Sequence, residues 1–74
     1  MNDEFLSEMA EILEETRVAP EDLLEGFASW DSLAVLSVVA MADAKFGINL
    51  SSKEVNGAST IQSLYDLISN KKAA

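Results

Sequence analysis

Seventy-four residues with a formal net charge of −8 and a pI of about 4.1 make one small acidic domain, residues 1–74, expected to be cytoplasmic and monomeric. The chain has neither Cys nor His, which excludes a disulfide framework, a thiolate metal site, a cysteine nucleophile and the usual general base. Phosphate backbones and anionic lipid surfaces repel such a charge, so neither nucleic acid nor a membrane is an expected partner.

The first periodic segment covers residues 4–16. Phe5, Leu6, Met9, Ile12 and Leu13 fall on one helical stripe, with Glu4, Glu8, Glu11 and Glu15 on the opposite face. Asp3 and Glu4 suit a helix N-terminus and stand where a signal peptide carries cations. Pro20 blocks continuation, since it lacks an amide donor and biases Ala19 away from helix. Residues 17–31 read as a long connection, pinned to the core by Leu23, Leu24, Phe27 and Trp30, with one helical turn around 21–25.

A second helix is predicted from Ser32 to Phe46, with Asp31 as its N-cap and Gly47 as its stop. Leu33, Val35, Leu36, Val38, Val39, Met41 and Phe46 make it apolar nearly all round. Such a helix is either central to the core or has a second apolar face for another purpose. Ser51-Ser52-Lys53-Glu54 is a capping box for a short third helix ending at Asn56-Gly57. Ser59-Thr60-Ile61-Gln62 reads as another, opening a last helix with Ile61, Leu64, Tyr65 and Ile68 on one stripe and Lys71 and Lys72 near its end. No apolar run approaches transmembrane length. The fold class is therefore all-α: a small four-helix bundle, three main helices plus one short one, with a long first connection.

Charge is unevenly spread. Residues 1–31 hold ten acids against Arg17 alone, whereas residues 32–74 hold Asp43, Glu54, Asp66 and four lysines. The acids of the first half are spaced as a solvated helix face, not as an acid–base pair, and no loop offers EF-hand spacing for calcium. Trp30-Asp31-Ser32-Leu33 stands out, because it lies at the mouth of the most apolar helix. A serine there sits beside backbone amides and the positive dipole end, where a phosphate ester is electrostatically favoured. With no His as base, a separate enzyme has to supply that chemistry. Asp-Ser ahead of a helix is also ordinary capping, so the residues alone leave both readings open.

Asp31-Ser32-Leu33 after a long loop, followed by an apolar helix ending in Lys45-Phe46-Gly47-Ile48 and then by Ser59-Thr60-Ile61-Gln62-Ser63-Leu64, resembles the acyl carrier protein family over nearly the whole chain. The resemblance implies a non-catalytic carrier. A phosphopantetheinyl transferase attaches 4′-phosphopantetheine from coenzyme A to the serine, here Ser32, and acyl-loading and acyl-accepting enzymes use the thioester on its thiol. It implies that Asp31 assists the transferase's magnesium site, that Leu33 docks against that enzyme, and that Val38, Ala42 and Ile61 face an acyl pocket.

The chain also departs from the fatty-acid members of that family. Their helix after the serine is rich in glutamates, whereas here Asp43 is the only acid on that helix. Trp30 stands where they carry a small residue. Peptidyl carriers, with Gly-His or Gly-Asp before the serine, fit less well. A stand-alone carrier of a specialised pathway is expected, with a polyketide, a modified sugar or another acyl group as cargo. Its partner surface is expected on an apolar patch of Leu33, Ser37 and Met41, rimmed by Glu21, Asp22 and Glu25. The alternative is an unmodified helical module that binds proteins through the second helix.

Overall fold

A computed structural model describes residues 3–73. Four α-helices follow in order: α1 (Asp3–Ile12), α2 (Ser32–Phe46), α3 (Ser52–Asn56) and α4 (Ile61–Ala73), with a 3₁₀ turn at Leu24–Gly26 in the first connection. Among the described residues the only β-type pairing is an isolated bridge between Leu23 and Thr60. The all-α architecture read from the sequence is the one observed.

α2 packs against α1, α3 and α4. Its near-uniform apolarity reflects that central position. One stripe, Ala34, Val35, Val38, Met41 and Ala42, is buried. It meets Phe5, Met9 and Leu13 from the α1 side, Val55 from α3, and Ile61, Leu64 and Ile68 from α4. Three rings join these helices: Phe5 lies 5.1 Å from Tyr65 and 6.3 Å from Phe46, offset distances that favour tilted aromatic pairs. Ile48 and Leu50, in the connection from α2 to α3, also turn inward.

The helix ends follow local chemistry, with two departures from expectation. α1 stops at Ile12, short of the predicted residue 16 and well before Pro20. Glu14 adopts the left-handed conformation at φ 58. The Glu14 amide donates to the Glu11 carbonyl and the Glu15 amide to the Ala10 carbonyl at 2.9 Å, the pattern of a Schellman stop. At α4 the box lies one residue later than Ser59–Gln62. The Ser63 amide donates to Thr60 Oγ1 at 3.1 Å, and the Thr60 amide donates to Ser63 Oγ at 2.9 Å. The next two donors of α4 go to the first connection: Ile61 to the Asp22 carbonyl and Gln62 to the Pro20 carbonyl. That connection is thus held by backbone bonds as well as by Leu24, which is fully buried, while Phe27 and Trp30 are half-buried. Leu23 does not pin it; its side chain is 61% exposed. Its bridge to Thr60 is made by the flanking residues: the Leu24 amide donates to the Ser59 carbonyl at 3.0 Å and the Ile61 amide to the Asp22 carbonyl at 3.1 Å.

Candidate functional site

The start of α2 is fixed from both directions. Asp31 is extended, and its Oδ1 accepts from the Ala34 amide at 3.0 Å, the N-cap bond that turns the chain into helix. Immediately before it, the Trp30 amide donates to the Phe27 carbonyl at 3.1 Å, and both side chains pack against the core. Ser29 Oγ donates to Glu14 Oε2 at 2.8 Å, tying this segment to the end of α1. The backbone of Ser32 is therefore held in place as the first residue of the helix, while its side chain is exposed. None of the hydrogen bonds among the described residues engages the Ser32 hydroxyl.

A cleft of about 410 Å³ opens beside that hydroxyl, lined by Trp30, Asp31, Ser32, Val35, Leu36, Ser52 and Asn56. It lies between the first turns of α2 and the short α3. Asp31 is the one ionisable side chain in its wall, and its Oδ1 accepts the capping bond. Nothing in the cleft pairs a nucleophile with a positioned base, which is what intrinsic hydroxyl chemistry requires. The helix N-terminus does favour an anion attached at Ser32.

Asp31, Ser32 and Leu33 come together on this first turn, and Leu33 is 74% exposed. Ser37 is also exposed, one turn further along. Met41 is not: it is 6% exposed and belongs to the core. Met41 follows Val38 by three residues and so shares its inward stripe. The apolar side chain on the outer face is Leu36, 58% exposed. A helix apolar on every side conceals this choice in its sequence. Spacing from Leu33 does indicate it, because Leu33, Leu36, Ser37, Ala40 and Ala44 recur at three- and four-residue steps and all are exposed. Ser52 and Asn56 had no such signal, since their place in the cleft depends on how α3 packs against α2. Val38, Ala42 and Ile61 lie in one core cluster and are fully buried. Of the acids around residue 21, Glu21 and Glu25 are exposed. Asp22 instead accepts the Ala19 amide at 2.9 Å and is half-buried.

Residues 3–68 match the family model described as "Phosphopantetheine attachment site". The chain belongs to the acyl carrier protein family. It is 33% identical to the acyl carrier protein of Renibacterium salmoninarum over 97% of this chain and 96% of that protein. Against the Micrococcus luteus acyl carrier protein the identity is 30%, covering 96% and 95%, and against that of Myxococcus xanthus 31%, covering 89% and 91%. No solved structure gives a significant match.

Membership makes this chain a non-catalytic carrier that works with biosynthetic enzymes, and its prosthetic group is covalent 4′-phosphopantetheine. The residues present fit that group: an exposed, unengaged serine hydroxyl at a helix N-terminus with an open cleft beside it. When bound, the arm supplies the thiol that a chain without cysteine lacks. No helix among the described residues is long and apolar enough to cross a membrane.

Proposed function

We propose that Ser32 is the attachment residue and that the chain presents acyl thioesters to the enzymes of a specialised pathway. The observation that carries the reading is the free, exposed Ser32 hydroxyl held at the N-terminus of α2 directly after its Asp31 cap. A separate phosphopantetheinyl transferase, with magnesium, performs the attachment. Asp31 presents its carboxylate at that enzyme's metal site, and Leu33 contributes an exposed apolar contact to it. The expected outcome is that Ser32→Ala takes up no arm and melts as the parent does. Full uptake by Ser32→Ala would refute the assignment.

The outer face of α2 supports the specialised reading. It presents Leu33, Leu36, Ser37, Ala40 and Ala44, with Asp43 as the helix's own acid. An enzyme that recognises a carrier through a basic patch finds few partners there. Enzymes of this pathway bury apolar area instead, at about 25 cal/mol per Å² before the costs of association. Glu21 and Glu25 form a rim. Val38, Ala42 and Ile61 form the interior wall that an acyl chain would displace on entering the bundle; core methyl shifts on acylation, read by NMR, test that entry. The exposed leucines equally suit an unmodified interaction module, which would bind a partner through Leu33 and Leu36 without ever gaining mass in the transferase reaction.

A further inference from the structure

Residues 20–24 of the first connection are fastened to α4 and its approach by backbone bonds: Leu24 to the Ser59 carbonyl, Ile61 to the Asp22 carbonyl and Gln62 to the Pro20 carbonyl. The last stretch, residues 28–31, is held differently. Apart from the bonds that carry it into α2 and the local one from Trp30 to Phe27, its one hydrogen bond among the described residues runs from Ser29 Oγ to Glu14 Oε2 at 2.8 Å. That bond ties the end of α1 to the chain just ahead of Ser32. Its acceptor occupies an unfavourable position. Glu14 is the one described residue other than glycine with a positive φ, 58, a conformation in which a β-carbon crowds the following carbonyl. Glycine fills such a stop without that penalty, and asparagine or aspartate offset it with local bonds. Glutamate does neither. Its side chain is exposed, and the bond to Ser29 is the one it makes among the described residues. Strain kept beside a functional segment points to a residue retained for what its side chain holds.

Resting on the reading that Ser32 carries the arm, we infer that Glu14 and Ser29 form a latch that presents the attachment turn to the transferase. Both are positioning residues, since neither lines the cleft at Ser32; they fix the direction from which Trp30 and Asp31 enter α2. Latched, the Asp31 carboxylate and the Ser32 hydroxyl meet a docking enzyme in one arrangement. Unlatched, residues 28–30 sample others and the competent fraction falls. An enzyme that binds the latched form then shows an apparent affinity weakened in proportion to that fraction, with an unchanged rate once bound. The bond is exposed, so the effect is a few-fold one and not all-or-none.

The experiment measures kcat and KM for loading of the carrier by a broad-specificity phosphopantetheinyl transferase with coenzyme A and magnesium. Melting temperature is recorded on the same proteins: the parent, Glu14→Gly, Ser29→Ala, their double variant and Glu14→Gln. Glu14→Gly relieves the strain and removes the latch, so it should melt no lower than the parent. Its KM for the carrier should rise about threefold while kcat stays unchanged. Ser29→Ala, which keeps every charge, should show the same rise. The double variant should show no further rise, because both substitutions break one bond. Glu14→Gln keeps an acceptor oxygen and should load with a KM near the parent's. Equal KM in every variant would overturn the latch and leave Ser32 as the attachment residue. A KM that rises only where the melting temperature falls would overturn the positioning role and leave an ordinary structural contact. A rise in Glu14→Gln matching that in Glu14→Gly would trace the effect to lost charge and also overturn the latch. A parent that does not load, under conditions that load a control carrier, would overturn the Ser32 reading and the latch with it.

Discussion

Asp31 caps α2 through one bond to the Ala34 amide at 3.0 Å, and that bond separates two roles at one position. Loss of the cap in Asp31→Ala should cost about 0.5–2 kcal/mol, measured by denaturant unfolding. Asparagine caps nearly as well, so Asp31→Asn should stay folded yet be modified more slowly if the carboxylate serves the transferase's magnesium. Equal modification rates would assign Asp31 to capping alone. The other end of α2 turns on Gly47, whose φ is +65 and where an added Cβ would meet nothing within 4 Å. Gly47→Ala therefore isolates the backbone cost of the left-handed conformation, about 1–2 kcal/mol. A change indistinguishable from zero would mean the helix end shifts to absorb it.

Among the elements, the short α3 is the least self-supporting, since five residues make little more than one turn. Its capping box satisfies its start, and Lys71 of α4 holds it from outside. The Lys71 ammonium donates to Glu54 at 2.8 Å and to the Asn49 carbonyl at 3.1 Å. The bond from Lys71, then that from the Ser51 amide, holds the Glu54 carboxyl below its ordinary 4.5. A depressed carboxyl contributes stability that is whole above the unfolded value and is lost as pH falls through the folded one. The gap in melting temperature between the parent and Lys71→Met should thus be constant from pH 7 to about 5 and close at more acid pH. A gap that persists unchanged in acid would show that Lys71 acts by packing.

The elements also show what a sequence displays. Asp31, Gly47 and the Ser51–Glu54 box were legible, because caps are local chemistry with fixed spacing. The end of α1 was not, since a left-handed Glu14 carries no residue signature of the kind glycine gives. The Thr60–Ser63 box was misplaced by one residue, because Ser59 and Thr60 are equivalent caps until the first connection fixes which amide is free. The place of Ser32 at the start of α2 is legible from its neighbours; the cleft is not, because Ser52 and Asn56 reach it through tertiary packing.

Taken whole, the molecule measures 32 × 24 × 20 Å and has a net charge of −8. The Debye length is about 10 Å at 0.1 M salt, so repulsion acts mainly among acids on one face, above all those of residues 3–25. Added salt should therefore raise the melting temperature, the half-buried Glu54–Lys71 pair losing less than the acid-rich half gains. A falling melting temperature would mean that ion pairs dominate. The exposed and buried faces of α2 give a paired test of partner docking. Leu36→Glu should leave stability nearly unchanged while weakening binding to a pathway enzyme. Met41→Ala should cost about 2–5 kcal/mol of stability, as core truncations do. Equal effects of both on stability would contradict the assignment of faces. The most direct test of the carrier reading is intact mass, with peptide mapping, after incubation with coenzyme A, magnesium and a broad-specificity phosphopantetheinyl transferase. One arm per chain, on Ser32, is the predicted result; no gain alongside a modified control carrier, or a gain on Ser29 or Ser37, would contradict it.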